Sequence, residues 1–257
     1  MITAHIAGIS RLRIDTDGPG IFTLVPLSGC HLGCAYCLNE ALRSEEAGDV
    51  YEPESLLEMV RRDDIYFMAS CGGITFGGGE PLLRSAFIRR FAEICPQEWT
   101  IAVETSLNVP EENLMEVLDK VDLWFVDIKD MNPDIYRKYT GVSNENVIRN
   151  LRTLSSQRDK TKVTVRIPRI EGFNTPEDVA ESIEAIRSMG LETAPFDYAI
   201  PGQKKDCKLR DEGVGWADSH DGPPLMGKPG DTLIRKFMDE ILSDMTMGIY
   251  RNDEDGM

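Results

Sequence analysis

The stretch CHLGCAYC at residues 30–37 places three cysteines in eight residues with the spacing CxxxCxxC. Thiolates this close together reach one face of an iron–sulfur cluster, which cysteines normally hold through four sulfurs. Three cysteines therefore leave one iron without a protein ligand, and an open position is typical of metal centres that carry out chemistry. The alternatives are a zinc knuckle or a partly formed set of disulfides. A fourth zinc ligand at ordinary spacing is missing, since Cys71 and Cys95 are far away and His31 lies in the same short loop.

Predicted strands and helices alternate outward from this stretch. The apolar runs predict strands over residues 21–27, 72–76, 99–103, 121–126, 163–167 and 191–199. Helices are predicted from Pro53, over 82–94 and 111–118, and after the N-cap candidates Ser143 and Thr175. Six strands alternating with helices indicate a parallel sheet, and six units are fewer than the eight of a closed barrel. We therefore expect an α/β fold with an open, partial (β/α)6 barrel.

The chain divides by composition near residue 200. Residues 1–200 form the predicted partial-barrel core, and residues 201–257 form a predicted C-terminal extension packed on it. Within the extension, a long glycine- and proline-containing loop over 201–230 precedes an apolar-periodic helix over 231–247. Such a long loop is usually functional or mobile, so we interpret it as a candidate flap.

Composition excludes several classes of partner. The net charge of -16 over 257 residues argues against nucleic acid and anionic membranes, because both would be repelled. The first ten residues do not resemble a signal peptide, and no apolar run approaches 18 residues. We expect a cytoplasmic protein, since clustered cysteines in a reducing compartment more often bind metal.

Polar motifs follow the predicted strands. Gly77-Gly78-Gly79-Glu80 follows the second strand, Glu104-Thr105-Ser106 the third and Asp127-Ile128-Lys129 the fourth, while Arg166 lies near the end of the fifth. The carboxyl ends of parallel strands share one edge, where ligand sites of this architecture are built. Taken alone, the glycines are more often a plain turn, and Lys129 and Arg166 can equally take part in ordinary salt bridges at a sheet edge.

The cysteine motif with an aromatic residue before its last cysteine resembles the signature of radical S-adenosylmethionine (SAM) enzymes. The resemblance implies a single 4Fe-4S cluster on Cys30, Cys34 and Cys37, with SAM chelating the open iron. It also implies reductive cleavage of SAM to a radical that abstracts hydrogen. The matching GGE motif implies that Gly78, Gly79 and Glu80 receive the ammonium of SAM.

Residues 127–150, together with Asp17-Gly18-Pro19-Gly20, resemble glycyl-radical-enzyme activating enzymes of the pyruvate formate-lyase activating type. This resemblance implies that Lys129 pairs with the SAM carboxylate and that Arg166 lies near its methionine and ribose. Tyr36 and Asn39 would flank the adenine, and Glu104, Thr105 and Asp127 would hold a monovalent cation. The chain departs from the family at Phe22, where arginine is usual, at Glu104, which replaces aspartate, and at 196–199.

The implied activity is hydrogen abstraction from a backbone glycine of a partner glycyl radical enzyme. A flavodoxin- or ferredoxin-type protein would supply the electron, and we expect a monomer. The departures motivate an alternative in which the same chemistry acts on a peptide or small molecule. A third hypothesis is an electron carrier or iron–sulfur binding module without SAM chemistry.

Overall fold

The computed structural model describes residues 2–14, 16–157 and 161–197. The strands of these ranges, β1 to β9, are Ala4–Ile6, Ser10–Ile14, Ile21–Leu27, Asp49–Tyr51, Gly73–Gly78, Thr100–Thr105, Leu123–Asp127, Lys162–Arg169 and Glu192–Asp197. The helices, α1 to α7, are Pro53–Val60, Asp64–Ser70, Ser85–Ile94, Glu111–Val117, Pro133–Thr140, Glu145–Ser155 and Pro176–Ser188. Short 3-10 turns lie at Glu40–Arg43, Arg61–Asp63 and Pro81–Arg84.

One sheet organises the described chain. Its strand order is β4-β1-β3-β5-β6-β7-β8-β9, with β2 beside β3. The six strands β3 and β5 to β9 pair in parallel, in chain order. Within the described ranges β9 pairs only with β8, so the sheet stays open as a partial barrel does. The predicted fold class is confirmed.

The six parallel strands are the six that the apolar runs predict. The first, Ile21–Leu27, has the predicted bounds, and the others shift by one or two residues within the part of the chain that the structure describes. The predicted helix over 82–94 divides into the turn Pro81–Arg84 and α3. Asn144, and not Ser143, is the N-cap of α6, although the Ser143 hydroxyl accepts a hydrogen bond from the Glu145 amide at 3.2 Å.

Sequence analysis did not predict the three antiparallel strands β1, β2 and β4, or the short helices α2 and α5. The strand β2 pairs with β3 and places Arg13 opposite Phe22. Helix α5 begins at an Asn132 N-cap, whose side chain accepts from the Asp134 amide, and ends at Gly141 in the left-handed region. Both elements contribute to the site described below.

Caps and apolar faces explain the longer helices. The Thr175 hydroxyl accepts from the Asp178 amide at 3.2 Å, and the Asp178 carboxylate accepts from the Thr175 amide, which makes the capping box that starts α7. The apolar face of α6, with Val147, Leu151 and Leu154, is buried as its spacing predicts.

The predicted loop over 201–230 and the predicted helix over 231–247 lie outside the described residues, as does the end of the strand predicted to reach residue 199.

Candidate active site

The three cysteines of the signature lie just beyond the end of β3 and line one cavity of about 380 Å³. We call residues 30–37 the cluster loop. Its backbone is fixed by the last turn of α5, because Gly33 N–H donates to Thr140 O at 2.8 Å and Ala35 N–H donates to Tyr139 O at 3.0 Å. The geometry of the loop therefore depends on main-chain contacts made far along the sequence.

The cluster loop offers three free thiols as metal ligands. The cysteines described at 30, 34, 37, 71 and 95 are all free. Among the described residues, no three histidines, cysteines or acids converge on one point, as a zinc site requires. Thiolates that each bind a different iron of a cluster do not need to converge in this way.

Burial shifts the pKa values of two of the signature thiols, Cys30 and Cys34. Burial raises the pKa of Cys30 to about 11, and the nearby charge of Glu80 adds to this shift. Burial also raises the pKa of Cys34, while the positive charge of Lys129 acts in the opposite direction. Iron binding to this loop therefore releases protons and becomes weaker as the pH falls.

The glycine turn at the end of β5 closes against the cluster loop. Gly78 has φ +105°, and a Cβ on Gly79 would lie 2.4 Å from Gly29 O, so backbone meets backbone here. The amide of Glu80 donates to Gly29 O at 2.8 Å, and Asn39 Nδ2 donates to Gly78 O at 3.4 Å. Gly78, Gly79 and Asn39 line the cavity.

The carboxylate of Glu80 turns away from the cavity. Glu80 is 1% exposed and does not contribute to the cavity wall. Its oxygens accept from Thr105 Oγ1 at 2.6 Å, from Ser106 N at 2.9 Å and Oγ at 2.5 Å, and from Leu82 N at 3.2 Å. These bonds connect the end of β5 to the end of β6.

An arginine lies between the two acids predicted to hold a cation. Arg166 contacts Asp127 through Nε–Oδ1 at 2.5 Å and Nη2–Oδ2 at 3.1 Å, and contacts Glu104 through Nη1–Oε1 at 3.0 Å. Burial alone would lower the pKa of Arg166, but Asp127 and Glu104 outweigh it and raise that pKa. Burial raises the pKa of Glu104, partly offset by Arg166. The positive charge between Glu104 and Asp127 is therefore the guanidinium of Arg166.

Lys129 and Tyr36 flank the cluster loop on its α5 side. Lys129 is 7% exposed, lines the cavity and acts electrostatically on Cys34. The ring of Tyr36 packs edge-on against Tyr139 and Phe173, with centroids 6.2 and 5.6 Å away. Every predicted site residue except Glu80 therefore lines the same cavity.

Comparisons with known proteins identify the family. Residues 24–184 match the Radical SAM superfamily. The chain belongs to the radical SAM superfamily. It is 40% identical over 122 residues to a (2S)-3-sulfopropanediol dehydratase activating enzyme of Klebsiella oxytoca, covering 47% of this chain and 38% of that protein. It is 30% identical over 191 residues to the pyruvate formate-lyase 1-activating enzyme of Escherichia coli K12, covering 70% of this chain and 76% of that enzyme.

Solved structures support the fold of this radical SAM chain. The structure of Streptococcus suis SuiB bound to S-adenosylmethionine has a TM-score of 0.57 at 13% identity, covering 87% of this chain and 47% of that one. The predicted family, resembling activating enzymes, is confirmed. The chain spans only 38% of the Klebsiella relative. None of the helices described here is long and apolar enough to cross a membrane.

The cofactors of the superfamily, a 4Fe-4S cluster and SAM, are those of this radical SAM chain. The donor set fits the cluster, since three cysteines and no fourth line the described cavity wall. The glycine turn lies against the residue that precedes the cluster loop, since a Cβ at Gly79 would lie 2.4 Å from Gly29 O, and Gly78 and Gly79 both line the cavity in which SAM would bind.

Sequence reasoning missed one charged pair in the cavity of this radical SAM chain. Arg13, on β2, forms a two-pronged ion pair with the buried Asp17, and both line the cavity. Register places Arg13 directly across from Phe22, so β2 supplies a guanidinium next to the position where the family has arginine. Phe22 itself is fully buried beneath Gly18. Without a predicted β2, no sequence signal pointed to Arg13.

Proposed function

We propose that this chain activates a glycyl radical enzyme by abstracting hydrogen from a backbone glycine of that partner. The observation that carries the proposal is one cavity that joins the three cysteines to the glycine turn, Lys129 and Arg166 at the ends of neighbouring strands. The names of the relatives, activating enzymes for a dehydratase and for pyruvate formate-lyase 1, support the same reaction class.

The cluster and SAM supply one kind of chemistry when bound: one-electron reductive cleavage of SAM, which yields methionine and a radical able to abstract hydrogen. The residues of this chain would bind the cluster and SAM and would orient SAM. Cys30, Cys34 and Cys37 would hold the cluster, and Lys129 would pair with the SAM carboxylate through a charge-assisted hydrogen bond. The turn at Gly78 would receive the ammonium, as a backbone approach without a Cβ permits.

The remaining cavity residues would fix the nucleoside and exclude water. Tyr36 is braced by two aromatic rings and Asn39 by Gly78 O, so both can present a fixed surface to the adenine. Arg166 is held by two carboxylates, Glu104 and Asp127, and would lie near the methionine and ribose of SAM. A monovalent cation near Glu104 and Asp127 remains a prediction, and it would have to share both acids with Arg166.

The proposal extends to the setting of the reaction. We propose a monomer in the reducing cytoplasm, with a flavodoxin- or ferredoxin-type donor supplying the electron. Residues 1–200 would form the core and residues 201–257 an extension packed on it, in which 201–230 would act as a flap over the partner's glycine loop. These assignments rest on the sequence.

The alternative substrate, a peptide or small molecule, drew on Phe22, on Ala199 and on the unfamiliar C-terminal part of the chain, and of these only Phe22 lies among the described residues. That residue lies in the core and not in the cavity wall, and Arg13 places a guanidinium nearby. The departure therefore gives no reason to expect a different cavity, and a protein glycine remains our preferred substrate.

The proposal is tested with anaerobically reconstituted protein, SAM, a reductant and a co-encoded protein with a glycyl-radical motif. Formation of 5′-deoxyadenosine together with an electron paramagnetic resonance (EPR) doublet on the partner supports it. Turnover of a small molecule without any protein substrate favours the alternative. A cluster spectrum that does not change on adding SAM favours the electron carrier. Cys34→Ala is the control and should abolish deoxyadenosine production.

A further inference from the structure

Glu80 has no free acceptor position for a ligand. A carboxylate accepts about four hydrogen bonds, two on each oxygen. Oε1 accepts from Leu82 N at 3.2 Å and Thr105 Oγ1 at 2.6 Å, and Oε2 accepts from Ser106 N at 2.9 Å and Ser106 Oγ at 2.5 Å. An ammonium group could bind this carboxylate only by displacing a donor, and one of them is the backbone amide of Ser106.

The backbone of Glu80 points in the other direction, toward the cluster loop. Its amide donates to Gly29 O at 2.8 Å, and Gly29 immediately precedes Cys30. The side chain of the same residue is bound to Thr105 and Ser106, which line the cavity beside Glu104. Glu80 therefore joins the start of the cluster loop to the wall on which SAM is proposed to lie.

We propose that Glu80 is a positioning residue and that it does not contact SAM. Its carboxylate fixes the distance between the cluster loop and the end of β6, while the backbone of Gly78 and Gly79 meets the ligand. The second half of this statement rests on the proposed function. The first half concerns the cluster loop alone and does not require SAM.

The test compares Glu80→Gln with Glu45→Gln in the cluster-loaded protein without SAM. Glutamine replaces one carboxylate oxygen with an NH2 group, which donates and does not accept. The two donors that pointed at that oxygen lose their acceptor, so two of the four hydrogen bonds are lost. We expect Glu80→Gln to lose its cluster to a chelator at least about tenfold faster than wild type and to change the EPR spectrum of the reduced cluster. Glu45 is largely exposed and, among the described residues, forms an ion pair with Arg84 alone, so Glu45→Gln should match wild type.

Thr105→Val provides a second variant that keeps the carboxylate. It removes one donor from Glu80, and a positioning role predicts the same direction of change as in Glu80→Gln, at smaller size. A ligand role predicts the opposite pattern: the SAM-free cluster is unaffected in both variants, while Thr105→Val frees the carboxylate and SAM binds as tightly or more tightly. An unaffected SAM-free cluster in both variants would overturn the proposal, and so would SAM binding to Thr105→Val that is as tight as in wild type or tighter.

Calorimetric titration with SAM separates this inference from the proposed function. Wild type that does not bind SAM would refute the proposed function and leave the chelator assay valid. Wild type that binds SAM, with an unchanged SAM-free cluster in Glu80→Gln, would refute the positioning role alone. Circular dichroism of each variant establishes that it is folded.

Discussion

Asn150 connects helix α6 to the loop that shapes the cavity, and replacing it with alanine should destabilise the protein. Its Nδ2 donates to Leu107 O and to Val109 O, both at 2.9 Å, and the side chain is fully buried. Leu107 holds φ at 57°, in the left-handed region, so this loop depends on such external bonds. The Asn150 Oδ1 atom has no hydrogen-bond partner among the described residues, so removing this atom breaks no hydrogen bond that these residues make.

The size of the effect follows from the two carbonyls that lose their donor. Each buried acceptor left unsatisfied costs about 1–2 kcal/mol, which gives about 2–4 kcal/mol in total. For a protein of this size that corresponds to a decrease in Tm of about 5–15 °C. The free energy of unfolding is measured by urea titration of the anaerobic protein.

Asn146→Ala is the matched control on the same helix. Within the described part of the chain, the Asn146 side chain accepts a single hydrogen bond, from Arg149 three residues along, at 3.3 Å. That variant should lie within about 0.5 kcal/mol of wild type. If Asn150→Ala also fell within that range, the reasoning about the buried carbonyls would be refuted.

Three further changes test other parts of the site. Gly79→Ala should prevent stable cluster assembly, because the new Cβ would lie 2.4 Å from Gly29 O; an iron and sulfide content equal to that of wild type would contradict this. Lys129→Ala should weaken SAM binding by about 10- to 100-fold with the cluster retained, as measured by calorimetry, and an unchanged affinity would remove the role given to Lys129. Burial raises the pKa of Cys95 to about 11, so its thiol stays almost fully protonated at pH 8.5; iodoacetamide at that pH should therefore label the exposed Cys71 much faster, and equal rates by peptide mapping would count against the burial of Cys95.

The six parallel strands were predictable because each is a short apolar or alternating segment, such as VTVRI at 163–167, that lies between helix signals. The strand β2 was not, because its sequence SRLRI is mostly polar and half-exposed, and it forms only by pairing with β3. Arg13 therefore went unnoticed, although it lines the cavity. Motif position located Glu80 but not the direction of its carboxylate, which depends on Thr105 and Ser106 some 25 residues later.

The contacts between α5 and the cluster loop have a consequence for how this part of the chain can vary. Lys129, just after β7, lines the cavity, and the Tyr139 and Thr140 carbonyls in the last turn of α5 hold the cluster loop, so the length of chain from Lys129 through α5 sets the distance between these two points. Inserting or deleting one residue there would rotate those carbonyls by about 100° and translate them by about 1.5 Å. The carbonyl anchors depend on backbone position and not on side-chain identity, so exchanges at exposed positions should be tolerated more readily than changes in length.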